Sequence, residues 1–253
     1  RHPSTARFVA TKLARRFVSD NPSPALVARI AEAFTRTNGD IKETLRAVFT
    51  SPEFNSREAY QAKIKTPFEL MVSSIRALGA ETDARPALLQ MLARMGEPLY
   101  GYQAPTGYPD TAAAWVSTGA LLERLNFALA LTANRIPGTR VPLDRQLKLA
   151  DAKSKERNAG ELLDRILHGQ VSEGTKRTLM KQITNPAPVN VTSSQRQSSE
   201  MVMTESETGM NERPRRGTNR RGASEVVVNM SADEAELRRI VGLIIGTPEF
   251  QRQ

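Results

Sequence analysis

Apolar residues recur along most of this chain at the three- and four-residue spacing that gives a helix one buried face. After Pro3, the stripe Phe8, Val9, Leu13 and Phe17 predicts a first helix, which Ser19-Asp20-Asn21-Pro22 breaks. Ser23 is placed to cap a second, with Pro24 in its first turn and Leu26, Val27, Ile30 and Phe34 facing inward. Asn38-Gly39 stops that helix, and Asp40 opens a third carrying Ile41, Leu45, Val48 and Phe49. Thr66-Pro67 starts a fourth, with Leu70, Met71, Ser74, Ile75 and Leu78 on one face and Gly79 as its stop. Leu88, Leu89, Leu92 and Met95 mark a short helix over 85–95. Ser117 caps a long one bearing Leu121, Leu122, Leu125, Phe127, Leu129 and Leu131. Shorter helices follow near 143–149, 157–168 and 172–183. The last, 231–246, opens on Ser231 and Glu234, the spacing of a capping box. The only β-like run is Val226-Val227-Val228, too short to imply a sheet. The pattern predicts an all-α fold, a multi-helix bundle of short amphipathic helices.

Residues 186–230 break that pattern. They begin Pro186-Ala187-Pro188 and continue through Ser, Thr, Gln, Glu and Arg with few large apolar groups. Such a segment cannot offset its ordering entropy by burial, so the expectation is a flexible or disordered polar insertion. Residues 1–185 and 231–253 then form one helical domain. Within it, IKETLRAVFTSPEF (41–54) is echoed by LRRIVGLIIGTPEF (237–250), and two short helices precede each copy. This suggests an internal pseudo-repeat whose second copy the polar segment interrupts. Two copies are too few for a solenoid.

The 253 residues carry 36 Lys and Arg against 27 Asp and Glu, a net charge of +9. The excess lies in the helical part, since residues 1–150 hold 20 basic and 13 acidic side chains. It therefore reads first as a solvated basic surface and only second as a polyanion site. Arg213, Arg215, Arg216, Arg220 and Arg221 cluster in the polar insertion and are the candidate polyanion contacts. No aromatic residue is interleaved with them for base stacking, which argues against nucleic acid. With no cysteine and only His2 and His168, no metal-ligand spacing occurs, and none of the glycines forms a phosphate loop. The sequence thus nominates no metal, no cofactor and no catalytic residue. His2 is read as a helix cap or an edge-of-site residue, and His168 as a helix C-terminal residue. No apolar run is long enough to span a membrane. The chain opens Arg1-His2-Pro3, without Met or an apolar leader, and reads as part of a longer protein.

One concentration stands out. Tyr100, Tyr102, Tyr108 and the single tryptophan, Trp115, all lie within 100–115, in a Gly- and Pro-rich loop. Flat rings with polar tips read first as pinning a long loop to the core and second as a ligand or sugar surface. Asp110 is expected to cap the short helix that carries Trp115, and Arg124 on the following helix to reach this region.

Several of these segments resemble the C-terminal half of the bacterial "domain of unknown function 1800" family. They are His2-Pro3 through Phe8 with Lys12-Leu13-Ala14, Gly39-Asp40-Ile41 with Ser51-Pro52-Glu53-Phe54, and Lys63 through Glu69. Further matches are Met95 through Tyr100, Gly107-Tyr108-Pro109-Asp110, Trp115, Leu122 through Phe127, and Thr247 through Gln251. The likeness covers roughly 1–185 and 231–253. Tyr108 departs from the Gly-Trp-Pro usual there. The resemblance implies a longer, exported parent, hence a periplasmic or extracytoplasmic location, and it supplies no activity. The expected function is a helical binding or scaffold module whose ligand candidates are Tyr100, Tyr102, Tyr108, Trp115, Arg124 and His2. Its partner is the upstream part of the same protein or another exported protein. Two alternatives stand: an extracytoplasmic enzyme completed by upstream residues, and a polyanion binder whose affinity falls steeply with salt.

Overall fold

The computed structural model describes residues 2–143, 155–184 and 232–253. Among them are nine α-helices. The first six are α1 Pro3–Phe17, α2 Pro24–Arg36, α3 Ile41–Phe49, α4 Pro67–Ala77, α5 Pro86–Arg94 and α6 Thr118–Thr132. The last three are α7 Lys155–Leu167, α8 Glu173–Thr184 and α9 Ala232–Ile245. The fold is all-α, with one unforeseen minor element. β1 Glu81–Thr82 pairs antiparallel with β2 Thr139–Arg140, two residues each. The helix expected near 143–149 falls, after Leu143, outside the described residues, as do Ser231 of the capping box and all of 186–230.

The helix starts follow from side chains that satisfy orphan backbone N–H groups. Ser23 Oγ accepts from Leu26 N at 3.2 Å, Asp40 Oδ1 from Glu43 N at 3.1 Å, and Ser117 Oγ from Ala120 N at 3.3 Å. Thr66 and Glu69 form a complete capping box, with Pro67 in the first turn.

Four apolar faces differ from expectation. The inward face of α1 is Ala10, Ala14 and Val18, while Phe8 is 62% exposed. Small residues let α1 and α2 approach closely, so the larger rings are displaced to the margin. Phe17 packs edge-on against Phe49 at 5.0 Å, and Phe49 against Phe54 at 5.1 Å. Ile41 of α3 is likewise exposed. On α6, Leu121 and Leu122 are exposed, whereas Arg124, Phe127, Ala128, Leu131 and Thr132 are buried. That helix carries leucine around its whole circumference, so periodicity alone selects no face. The partner selects it: α6 lies on α9 at Gly242, where a Cβ would fall 2.9 Å from both Leu129 Cδ2 and Thr132 Oγ1. On α5, Leu88, Leu92 and Met95 point inward while Leu89 is exposed.

Two hydrophobic clusters result. The smaller joins α1, α2 and α3 through Ala10, Ala14, Val18, Leu26, Val27, Ile30 and Val48. The larger runs from Leu70 to Phe250 and includes Phe127, Leu162, Val241 and Ile244. Full burial of one such side chain is worth about 1.5–3 kcal/mol.

The pseudo-repeat is visible in hydrogen bonds. Ser51 Oγ donates to Val48 O at 2.6 Å and accepts from Phe54 N at 3.2 Å. Thr247 Oγ1 donates to Ile244 O at 2.7 Å and accepts from Phe250 N at 3.4 Å. Glu53 then pairs with Arg29 of α2, and Glu249 accepts from Ser172 N and Thr175 Oγ1 at the start of α8. Each clasp ties the end of a third helix to the second helix of its own unit. A constant offset of 149 residues also sets buried positions of α1 on buried positions of α7: Ala10 on Ala159, Ala14 on Leu163 and Val18 on Leu167.

Candidate functional site

Lys12 and Arg16, one turn apart on α1, face the start of α4 and the aromatic loop across a cavity of about 200 Å³. Lys63, Ile64, Thr66 and Glu69 form one wall, Tyr108, Pro109, Asp110 and Trp115 another, and Gln253 closes an edge. This volume lies below the roughly 300–1,000 Å³ of a drug-sized site, so it accommodates one ring-sized group.

Ion pairs hold the walls together. Lys12 Nζ meets Asp110 Oδ2 at 2.5 Å, Arg16 pairs with Glu69, and Lys63 pairs with Asp20. Lys63 Nζ also donates to Asp110 O at 3.1 Å. Asp20 Oδ2 accepts from Ala112 N at 2.6 Å, so one carboxylate grips both Lys63 and the aromatic loop. Burial alone would raise the Asp20 pKa, but the Lys63 ammonium and the Ala112 N–H outweigh it and hold the carboxyl below its ordinary value. Glu69 behaves alike: burial is outweighed by the Thr66 N–H, Arg16 and Gln253, and its pKa is lowered.

The expected cap by Asp110 is not formed. The short helix before Trp115 is a 3-10 turn, Ala112–Ala114, whose start is held by Asp20 from the α1–α2 connection. Asp110 instead serves Lys12. A cap drawn from 92 residues away has no local signature.

The rings form a step. Tyr102 and Tyr108 stand 4.6 Å apart, and Tyr108 and Trp115 stand 5.8 Å apart. Trp115 is buried and donates Nε1–H to Pro109 O at 3.2 Å. The Tyr108 hydroxyl donates to Pro98 O, and burial, helped by Glu97 and Tyr102, pushes its pKa up. Tyr102 is 42% exposed. Tyr100 is wholly exposed, with φ +57°, a left-handed conformation that is uncommon for a tyrosine.

The structure therefore brings Tyr102, Tyr108 and Trp115 together and leaves the other candidates elsewhere. Arg124 is fully buried, donating to Lys65 O at 2.9 Å and to Gln251 Oε1 at 3.2 Å. Burial lowers its pKa, partly opposed by Glu97. His2 is exposed and caps α1, its Nδ1 accepting from Ser4 N at 3.2 Å. Ten residues of helix separate it from Lys12, about 15 Å. His168 follows α7 with φ +52°. Arg213, Arg215, Arg216, Arg220 and Arg221 lie outside the described residues. Among the described residues, no group of three His, Asp or Glu is placed to hold a metal ion, and no helix is long and apolar enough to cross a membrane.

Sequence reasoning missed Lys12, Arg16, Lys63 and Glu69 as site residues. The only local signal was a first helix with basic residues four apart and no acid anywhere in it. A family model described as "Protein of unknown function (DUF1800)" matches residues 1–252. No curated protein and no solved structure matches the chain.

Proposed function

We propose a function for this chain, which belongs to the DUF1800 family of proteins of unknown function, from its own site: it is a binding module for a saccharide. The observation that carries this reading is the step Tyr102–Tyr108–Trp115, partly exposed at one end and walling a charged cavity at the other. Apolar ring faces with polar tips match the mixed faces of a pyranose, and fixed ion pairs supply a pre-formed polar rim. A location outside the cytoplasm, in an exported bacterial protein, rests on the family resemblance.

The test is titration of short oligosaccharides into the protein, read by calorimetry. Tyr102→Ala removes a ring that packs on Tyr108 and whose hydroxyl has no partner among the described residues, so the protein should stay folded with Tm lowered by roughly 1–6 °C. Affinity should fall roughly 2- to 12-fold, the worth of one aromatic contact. Binding that ignores Tyr102, or no binding by any oligosaccharide, overturns the reading.

A further inference from the structure

The cavity walls contain more hydrogen-bond donors than acceptors left to receive them. The lining holds three cations, Lys12, Arg16 and Lys63, against two carboxylates, Glu69 and Asp110. Glu69 is mostly engaged: one oxygen takes Arg16, and the other takes Thr66 N at 2.9 Å and Gln253 Nε2 at 3.0 Å. Lys63 spends two of its three N–H donors on Asp110 O and on Asp20, a carboxylate outside the lining. Arg16 and Lys12 differ. Each makes one polar contact among the described residues, and their side chains are 55% and 41% exposed. A guanidinium carries five N–H donors and an ammonium three. Two cations four residues apart on one helix therefore present unused donors beside an aromatic wall.

We infer that this edge of the cavity is a subsite for a carboxylate, and that the ligand is an acidic saccharide, a sugar ring bearing a carboxylate. The inference rests on the saccharide-binding reading above and narrows it. The pyranose lies against Tyr108 and Tyr102, and its carboxylate meets Arg16 and Lys12. A neutral sugar has only hydroxyls to offer the N–H donors that Arg16 and Lys12 do not spend on Glu69 and Asp110. Charge-assisted pairs of this kind are about twice as strong as neutral hydrogen bonds, and a planar guanidinium suits a carboxylate in a two-point grip.

The chain's single tryptophan, Trp115, lines the cavity, so its emission reports on this site and no other. The experiment titrates trigalacturonate and its neutral counterpart, trigalactose, against the whole chain and follows that emission. Arg16→Gln and Lys12→Met are titrated in parallel, with circular dichroism confirming that both variants fold. Trigalacturonate should saturate the signal at least tenfold below trigalactose, and either variant should lose at least tenfold for the acidic sugar and several-fold less for the neutral one. Equal binding of the two sugars, or variants that lose nothing, overturns the carboxylate subsite and leaves saccharide binding standing. If neither sugar moves the Trp115 signal, the subsite and the saccharide reading fall together.

Discussion

Asp20 is the residue through which the α1–α2 connection holds the aromatic loop, and its replacement has a calculable cost. Asp20→Ala leaves the Lys63 side chain 10% exposed and without its counter-charge. Removing one member of a buried ion pair costs about 3–5 kcal/mol. The Asp20 side chain is 24% exposed, so solvent screening reduces this toward ~2 kcal/mol. Ala112 N loses its acceptor at 2.6 Å, adding about 1 kcal/mol. The sum, about 3 kcal/mol, lowers Tm by roughly 6–12 °C in a chain of this size. Asp20→Asn keeps an acceptor for Ala112 and should cost about 1 kcal/mol less. Because the carboxyl sits below its ordinary value of 3.8 in the fold, its contribution is complete above that pH and fades as pH falls through the lower folded value. The gap between wild type and Asp20→Ala should thus be full at neutral pH and narrow in acid. Denaturation followed by circular dichroism and by Trp115 emission provides the assay. The alanine variant should also show red-shifted Trp115 emission before the helices melt. An alanine variant that melts with the wild type and keeps its emission would refute the assignment of Asp20 as the clamp.

Two further outcomes follow from packing. Gly242→Ala puts a Cβ 3.2 Å from the Leu129 Cα and should destabilise by about 1–3 kcal/mol, whereas Gly160→Ala, in α7 with nothing within 4 Å, should stabilise by roughly 0.5–1 kcal/mol; urea unfolding midpoints compare them, and equal signs would contradict the close α6–α9 approach. Ser51→Ala and Thr247→Val each remove an acceptor from the N–H of a following phenylalanine and should cost about 1–2 kcal/mol apiece; a neutral result for either one would mean that the two clasps are not equivalent.

The helices were legible because their signals are local. Ser23, Asp40, Thr66 and Ser117 are caps whose partners lie three residues away. Inward faces were less legible wherever a close helix crossing, not side-chain size, decides what is buried. Ala10 and Ala14 of α1 are fully buried beside an exposed Phe8, because only small residues admit the neighbouring backbone. The site was half legible. Its rings share one loop and were visible as a cluster, but its charged walls come from α1, 63–69, the α1–α2 connection and residue 253. No spacing rule joins Lys12 to Asp110 or Asp20 to Ala112, since those contacts exist only after the helices dock.

Those distant pieces meet where the chain leaves the two clasps. After the first clasp the chain passes through 56–62 and reaches Lys63, and after the second it reaches Gln253 within three residues of Phe250. The two exits then pair. Gln253 N donates to Lys63 O at 2.8 Å, Lys63 N to Gln253 O at 3.2 Å, and Lys65 N to Gln251 O at 2.8 Å. Lys65 Nζ adds a hydrogen bond to Phe250 O at 2.6 Å and stands 4.3 Å from the Phe250 ring. Arg124 lies beneath this junction and binds one partner from each exit, Lys65 O and Gln251 Oε1. A guanidinium is expensive to bury, and it is retained here because it satisfies a carbonyl and an amide oxygen that belong to different units. The cavity rests on that joint, with Lys63, Ile64 and Gln253 in its walls. The candidate site therefore depends on that junction: neither three-helix unit contains it alone, and the buried arginine that first suggested a ligand contact is the fastener between the two exits.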